Sequence, residues 1–272
     1  MPAWVEIEDM LNFDAVIFDM DGVITKTAVA HSRAWKKMFD EYLRYREKEH
    51  REPFIEFTHA HDYLSFVDGR PRFKGVQTFL KSRGISIPFG QPDDGPEKET
   101  VCGLGNRKNE FFNQAIEEAG VEVYDSTIRL IKELLERSVK VGVATSSRNC
   151  VLILEKAGIT GLFETRVDGV VSAELGLHGK PAPDIFTTAS DNLGVKYERA
   201  IVVEDAVSGV QAGARGNFGL VIGVARENNS HELKSNGADV VVEDLSEINA
   251  DQLNRFMSSK QKPRPAATTL NP

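Results

Sequence analysis

The chain has 272 residues, 41% hydrophobic and 27% charged, with Lys+Arg of 33 against Asp+Glu of 41 for a formal net charge of −8. That length fits one large domain or a core carrying a smaller one, and the mix excludes a disordered or fibrous chain. The acidic balance argues against a nucleic-acid footprint but leaves room for a local cationic pocket. Cys102 and Cys150 exclude a disulfide scaffold and match no metal spacing.

The opening MPAWVEIEDMLNFDAVIF is acidic and lacks the basic and apolar regions of a signal peptide. No stretch approaches the roughly 18 apolar residues of a membrane span. A soluble, cytoplasmic protein with no membrane partner is expected. Ala15 to Phe18 is the first short apolar run and reads as a buried strand. Residues 28 to 118 then show helical patterns and no convincing strand: His31 to Glu49 with an apolar stripe through Trp35, Phe39, Tyr42 and Leu43, then Gly75 to Lys81 and Lys108 to Glu118. Ile87 to Gly105, rich in Pro, Gly and acid, reads as loop.

From there apolar runs alternate with helical patterns. The runs are Val139 to Ala144, Ala200 to Val203, Leu220 to Val224 and Ala238 to Val242. The helices are Thr127 to Arg137, Arg148 to Ala157, Ala182 to Leu193, Val207 to Ala214 and Ser246 to Phe256. Continuous rather than alternating apolarity suits parallel strands covered on both faces. The fold class is therefore α/β, a Rossmann-like parallel sheet (residues 1–27 and 119–257) with an inserted α-helical cap (28–118) over its carboxyl edge, where open sheets bind ligands. The tail 258–272 is expected to be disordered.

Polar groups gather at the strand ends. Asp19 and Asp21 leave the first strand at i and i+2, so one can attack as a nucleophile while the other handles a proton. Thr145-Ser146-Ser147 follows the second run and opens a helix, an arrangement that offers hydroxyls and N–H groups to an anion. Lys180 precedes the helix opened by Pro181-Ala182-Pro183-Asp184. Glu204-Asp205 ends the third run and suits a hard cation such as Mg²⁺. Each feature alone is also what an ordinary turn or capped helix carries. Together, in this order, they are the parts of phosphoryl transfer through an aspartyl phosphate.

DMDGVIT, ATSS, GKPAPD and VVEDAVSG resemble the four motifs of the haloacid dehalogenase superfamily, and the insert resembles its helical-cap subclass, nearest to the β-phosphoglucomutase group, from Asp14 to about Leu245. The resemblance implies Asp19 as nucleophile and Asp21 as general acid/base, with Thr145 and Lys180 on the transferring phosphoryl group. It implies Mg²⁺ held by Asp19, the Asp21 carbonyl, Glu204 and Asp205. It also places His31, Arg72 and Lys108 on the cap side of a sugar-phosphate site and Ser146, Ser147, Arg148 and Asn149 on the core side. Arg148 stands where the group pattern has lysine, and the cap is longer around Arg46 to His61 and Ile87 to Gly105. The activity implied is interconversion of β-glucose 1-phosphate and glucose 6-phosphate through β-glucose 1,6-bisphosphate, by a monomer. A sugar-phosphate phosphatase is the second possibility. A sensor with an unused site is disfavoured because every catalytic position is filled.

Overall fold

The computed structural model describes residues 11–261. In chain order its strands and α-helices are β1 (Ala15–Phe18), α1 (Ala28–His50), α2 (Leu64–Phe66), α3 (Arg72–Ser82), α4 (Val101–Ala119), α5 (Asp125–Glu136), β2 (Lys140–Ala144), α6 (Cys150–Lys156) and β3 (Thr165–Val167). There follow α7 (Gly169–Glu174), α8 (Asp184–Leu193), β4 (Ala200–Glu204), α9 (Val207–Arg215), β5 (Leu220–Val224), α10 (Ser230–Ser235), β6 (Val240–Val242) and α11 (Ala250–Gln261). The strands form one parallel sheet in the order β3-β2-β1-β4-β5-β6.

Strand periodicity explains why the central runs are apolar throughout. Along β1 and β4, Val16, Phe18, Ile201 and Val203 face one apolar layer, joined by Leu130, Ile131 and Leu134 of α5 and Leu253 of α11. Their neighbours Ala15, Ile17, Ala200 and Val202 face the opposite layer, with Ile185, Phe186 and Ala189 of α8 and Val210 of α9. A strand buried on both faces needs apolar residues at every position. The chain moves outward from β1 in one direction and resumes at β4 in the other, so the switch point of the sheet lies between the carboxyl ends of β1 and β4.

Helices α1 to α4 carry their own apolar centre, built on Trp35, Met38, Phe39, Tyr42, Phe57, Phe79 and Leu104. The Ile87 to Gly105 loop is shorter than expected, because α4 already begins at Val101. Thr100 caps it by accepting from the Gly103 N–H at 2.9 Å, satisfying one of the donors that a helix start exposes. Gly103 and Gly105 are tolerated there for packing: a Cβ on Gly103 would lie 2.3 Å from the Lys98 carbonyl oxygen, and one on Gly105 2.8 Å from the Phe73 ring. At the other end of the chain α11 runs to Gln261, so 258–261 are helical, and the remainder of the expected disordered tail (262–272) lies outside the described residues. Among the described residues no helix is long and apolar enough to cross a membrane.

Candidate active site

The carboxyl ends of β1, β2 and β4 open into a cleft beneath the cap, lined by every site residue named from the sequence, with Lys180 arriving from the loop before α8. On its floor the Lys180 ammonium donates to Asp19 Oδ1 at 2.5 Å and to Glu204 Oε1. All three are buried. Glu204 Oε2 accepts from the Ala206 N–H at 2.7 Å, fixing the carboxylate. Two glycines make room for these acids. Gly22 has φ +87°, and a Cβ there would fall 1.8 Å from Asp205 Oδ2, while a Cβ on Gly209 would fall 1.8 Å from Glu204 Oε1.

The floor carries more negative charge than it neutralises. Burial, with Glu204 and Asp21 nearby, holds the Asp19 carboxyl well above the usual range despite the opposing pull of Lys180. Burial and the neighbours Glu204, Asp68 and Asp19 do the same to Asp205. Burial lowers Lys180 but its two acids outweigh that, and it stays protonated above the ordinary lysine range. Among the described residues no three His, Cys, Asp or Glu side chains form a ready-made metal cage. A hard cation that takes one or two carboxylates and keeps waters does not need one. Asp19 and Asp205, carrying charge the fold leaves uncompensated, are the donor chemistry that a divalent cation fits.

Asp21 differs from Asp19. Burial pushes it up, but His31 and the hydroxyl of Thr27, which donates to Asp21 Oδ1, outweigh burial and leave it below the usual range. His31 comes from the first turns of α1; its Nε2 stands 3.3 Å from Asp21 Oδ1, off hydrogen-bonding geometry, and its ring stacks on Phe112 at 3.9 Å. Lys108, from α4, approaches His31 Nδ1 at 2.5 Å and lies over the Trp35 and Phe112 rings. With Lys108 donating, the ring proton sits on Nε2, facing Asp21. Burial and Lys108 lower His31, and burial and Arg72 drive Lys108 well below the ordinary lysine range.

The opposite wall is cationic. Arg72, at the start of α3, is lowered to about 10 by burial and by Arg148 across the cleft. The Thr145–Asn149 stretch does not open a helix as expected, since α6 begins only at Cys150. Its hydroxyls instead fold it into a turn: Thr145 Oγ1 accepts from the Ser147 N–H at 3.1 Å, and Ser147 Oγ from the Asn149 N–H at 3.2 Å. Ser146 Oγ donates to the Gly69 carbonyl at 2.9 Å, tying this turn to the cap. Asp68, Tyr63 and Thr27 also belong to the site and escaped the sequence reading. Burial and Glu204 raise Asp68 to about 6. It directly precedes the Gly69-Arg70-Pro71-Arg72 run, which was its only local signal.

Fold and site together define a capped Rossmann-like α/β protein whose cleft sets an overcharged acidic floor against a basic wall. The family model for haloacid dehalogenase-like hydrolases matches residues 13–217, and the chain belongs to that family. It is 45% identical over 237 residues to the β-phosphoglucomutase of Mycobacterium bovis, covering 86% of this chain and 90% of the relative. It is 30% identical over 241 residues to the β-phosphoglucomutase of Bacillus subtilis, covering 88% and 93%. A crystal structure of β-phosphoglucomutase from Clostridium difficile superposes with a TM-score of 0.72 at 23% identity, covering 91% of this chain and 98% of that one.

Proposed function

We propose that the chain is a β-phosphoglucomutase, interconverting β-glucose 1-phosphate and glucose 6-phosphate through β-glucose 1,6-bisphosphate. The observation that carries this reading is the two-sided cleft: an acid poised to take a phosphoryl group on the core floor, and a separate anion-binding wall shared between cap and core. Hydrolysis needs only the first. A mutase must hold a phosphate at each end of the sugar. The 45% identity to a β-phosphoglucomutase over most of both chains supports it.

In this reading Asp19 Oδ attacks phosphorus, the P–O bond to the sugar breaks, and the departing oxygen takes a proton from Asp21. In the return step Asp21 takes the proton from the other sugar hydroxyl as that oxygen attacks the aspartyl phosphate. Lys180 offsets the repulsion between Asp19 and an anionic substrate, and Thr145 donates to the transferring group. His31 and Thr27 set the acidity of Asp21. His31 belongs to the cap, so proton transfer is tied to a closed cap, which favours a sugar hydroxyl over water. Asp19, Asp205, Glu204 and the Asp21 carbonyl would hold Mg²⁺, which would supply charge neutralisation for the transferring phosphoryl group.

The test is one tube holding β-glucose 1-phosphate, Mg²⁺ and a trace of β-glucose 1,6-bisphosphate, assayed for glucose 6-phosphate and for free phosphate. Glucose 6-phosphate without free phosphate is expected. Free phosphate without glucose 6-phosphate makes the protein a phosphatase.

The raised acids also give a metal prediction. An acid that binds its proton more tightly folded than unfolded destabilises the fold at neutral pH, and the loss recovers as pH falls through the folded-state value. Cation binding needs those protons off. With Mg²⁺ near a hundredfold over its Kd, the melting temperature is expected to rise by about 5 °C or more at pH 7.5, and by much less at pH 5. His31, whose value is lowered, acts in the opposite sense with or without Mg²⁺, so the comparison is the Mg²⁺-induced difference at each pH. An equal rise at both removes Asp19 and Asp205 as the cation's ligands.

A further inference from the structure

One side chain behind the cleft bridges two residues of its basic wall. Asn109 Oδ1 accepts from Arg72 Nη2 at 2.7 Å and from Asn149 Nδ2 at 2.8 Å. Arginine has donors only, so the Asn109 atom facing Arg72 is its oxygen, and the Asn149 atom facing that oxygen is its amide nitrogen. Arg72 and Asn109 stand on cap helices α3 and α4, whereas Asn149 stands on the core turn after β2. A single carbamoyl oxygen therefore joins the cap and core halves of the anion-binding wall. Beside it Asn106 donates from Nδ2 to the Pro92 and Asp94 carbonyls at 3.0 and 2.8 Å, and its oxygen stands 3.4 Å from Arg72 Nη1. Through Asn106 the lengthened cap segment braces the same guanidinium without itself lining the cleft.

We infer that Asn109 is a positioning residue that sets Arg72 and Asn149 in register for the distal phosphate, so that closing the cap and assembling the distal site are one event. The inference rests on the mutase reading for the identity of the sugar, but not for the binding of phosphate. Arg72 needs such an acceptor. Its guanidinium is largely shielded from water, Arg148 repels it, and its side-chain partners among the described residues are the amide oxygens of Asn106 and Asn109, with no carboxylate. A neutral carbamoyl oxygen satisfies it without competing for its charge, whereas a carboxylate would pair with Arg72 and hold it against release to a phosphate.

Asn109→Ala and Asn109→Asp test this in the full chain. Affinity for inorganic phosphate is measured by calorimetry in metal-free buffer, where the acid floor repels anions, together with KM and kcat for β-glucose 1-phosphate. Asn109→Ala is expected to weaken phosphate binding and raise KM by about tenfold, with kcat changed far less and an unchanged melting temperature. Asn109→Asp is expected to weaken phosphate further than Asn109→Ala. Adding Asn149→Ala to Asn109→Ala is expected to cost less than the sum of the two alone, because the pair acts as a unit. Wild-type phosphate affinity in Asn109→Ala overturns the inference whatever the substrate proves to be, as do additive losses in the pair. Weakened phosphate binding in a protein that turns over no glucose phosphate keeps the inference and removes the mutase reading.

Discussion

Asp19→Asn is expected to abolish phosphoenzyme formation and cut turnover by about 10⁴-fold or more, while making the metal-free protein more stable. The opposite signs follow from one fact. The Asp19 carboxyl is held well above its usual range by burial, by Glu204 and by Asp21, so its charge is a liability to the fold that only Lys180 opposes. An amide of the same shape keeps an oxygen for the Lys180 ammonium, 2.5 Å from Asp19 Oδ1, and discards the charge. It also discards the proposed nucleophile. Retained strain at a reacting group is what a stability–activity trade-off looks like at a single atom. Incubation with a phosphoryl donor and mass spectrometry reads the first effect, and thermal melting without metal reads the second. Wild-type turnover by Asp19→Asn overturns the aspartyl-phosphate mechanism. A lower melting temperature overturns the claim that the acids are overcharged.

What the sequence disclosed tracks how local each signal was. β1 and β4 were legible because strands at the centre of a sheet must be apolar at every residue, and AVIF and AIVV have no second reading at that length. β3 was not, because it is an edge strand with Val167 as its sole buried position, and Thr165-Arg166-Val167 carries no apolar run. The start of α4 was hidden by its glycines. Gly103 and Gly105 read as loop in one dimension, and only the approach of the Lys98 carbonyl and the Phe73 ring explains them. Around the site, Asp19, Thr145, Lys180 and Glu204 could be named because chain order along a parallel sheet brings strand ends to one edge. Their counterparts across the cleft were harder. Asn109 stood beside Lys108 in the sequence, yet its chemistry exists only where Arg72, 37 residues away, meets Asn149, 40 residues away. Asp68 had no signal beyond the basic run it precedes, since the weakened acidity of its carboxyl comes from burial and from Glu204, a residue far along the chain.

Lys180 is where fold and chemistry share one charge, and its removal is expected to be the most damaging single change to the protein as a whole. Lys180 is 3% exposed, Glu204 is 0% exposed and Asp19 6%. Lys180→Met leaves two buried acids facing each other with no cation between them. Breaking a buried pair from one side costs about 3–5 kcal/mol, because the surviving charge stays behind. In metal-free buffer Lys180→Met is therefore expected to lose stability on that scale, measured by denaturant unfolding, and to recover part of it as pH falls and Asp19, already held well above its usual range, takes up its proton. Mg²⁺ is expected to restore stability further, since it supplies positive charge to the same acids. Turnover is not expected to follow, because a cation bound among the acids does not replace an ammonium aimed at Asp19 as phosphorus is attacked, and a loss of roughly 10³-fold remains. Recovery of stability without recovery of activity separates the two roles of the lysine. If Lys180→Met is as stable as wild type without metal, the acids do not depend on it, and if Mg²⁺ restores full turnover, Lys180 serves the fold alone.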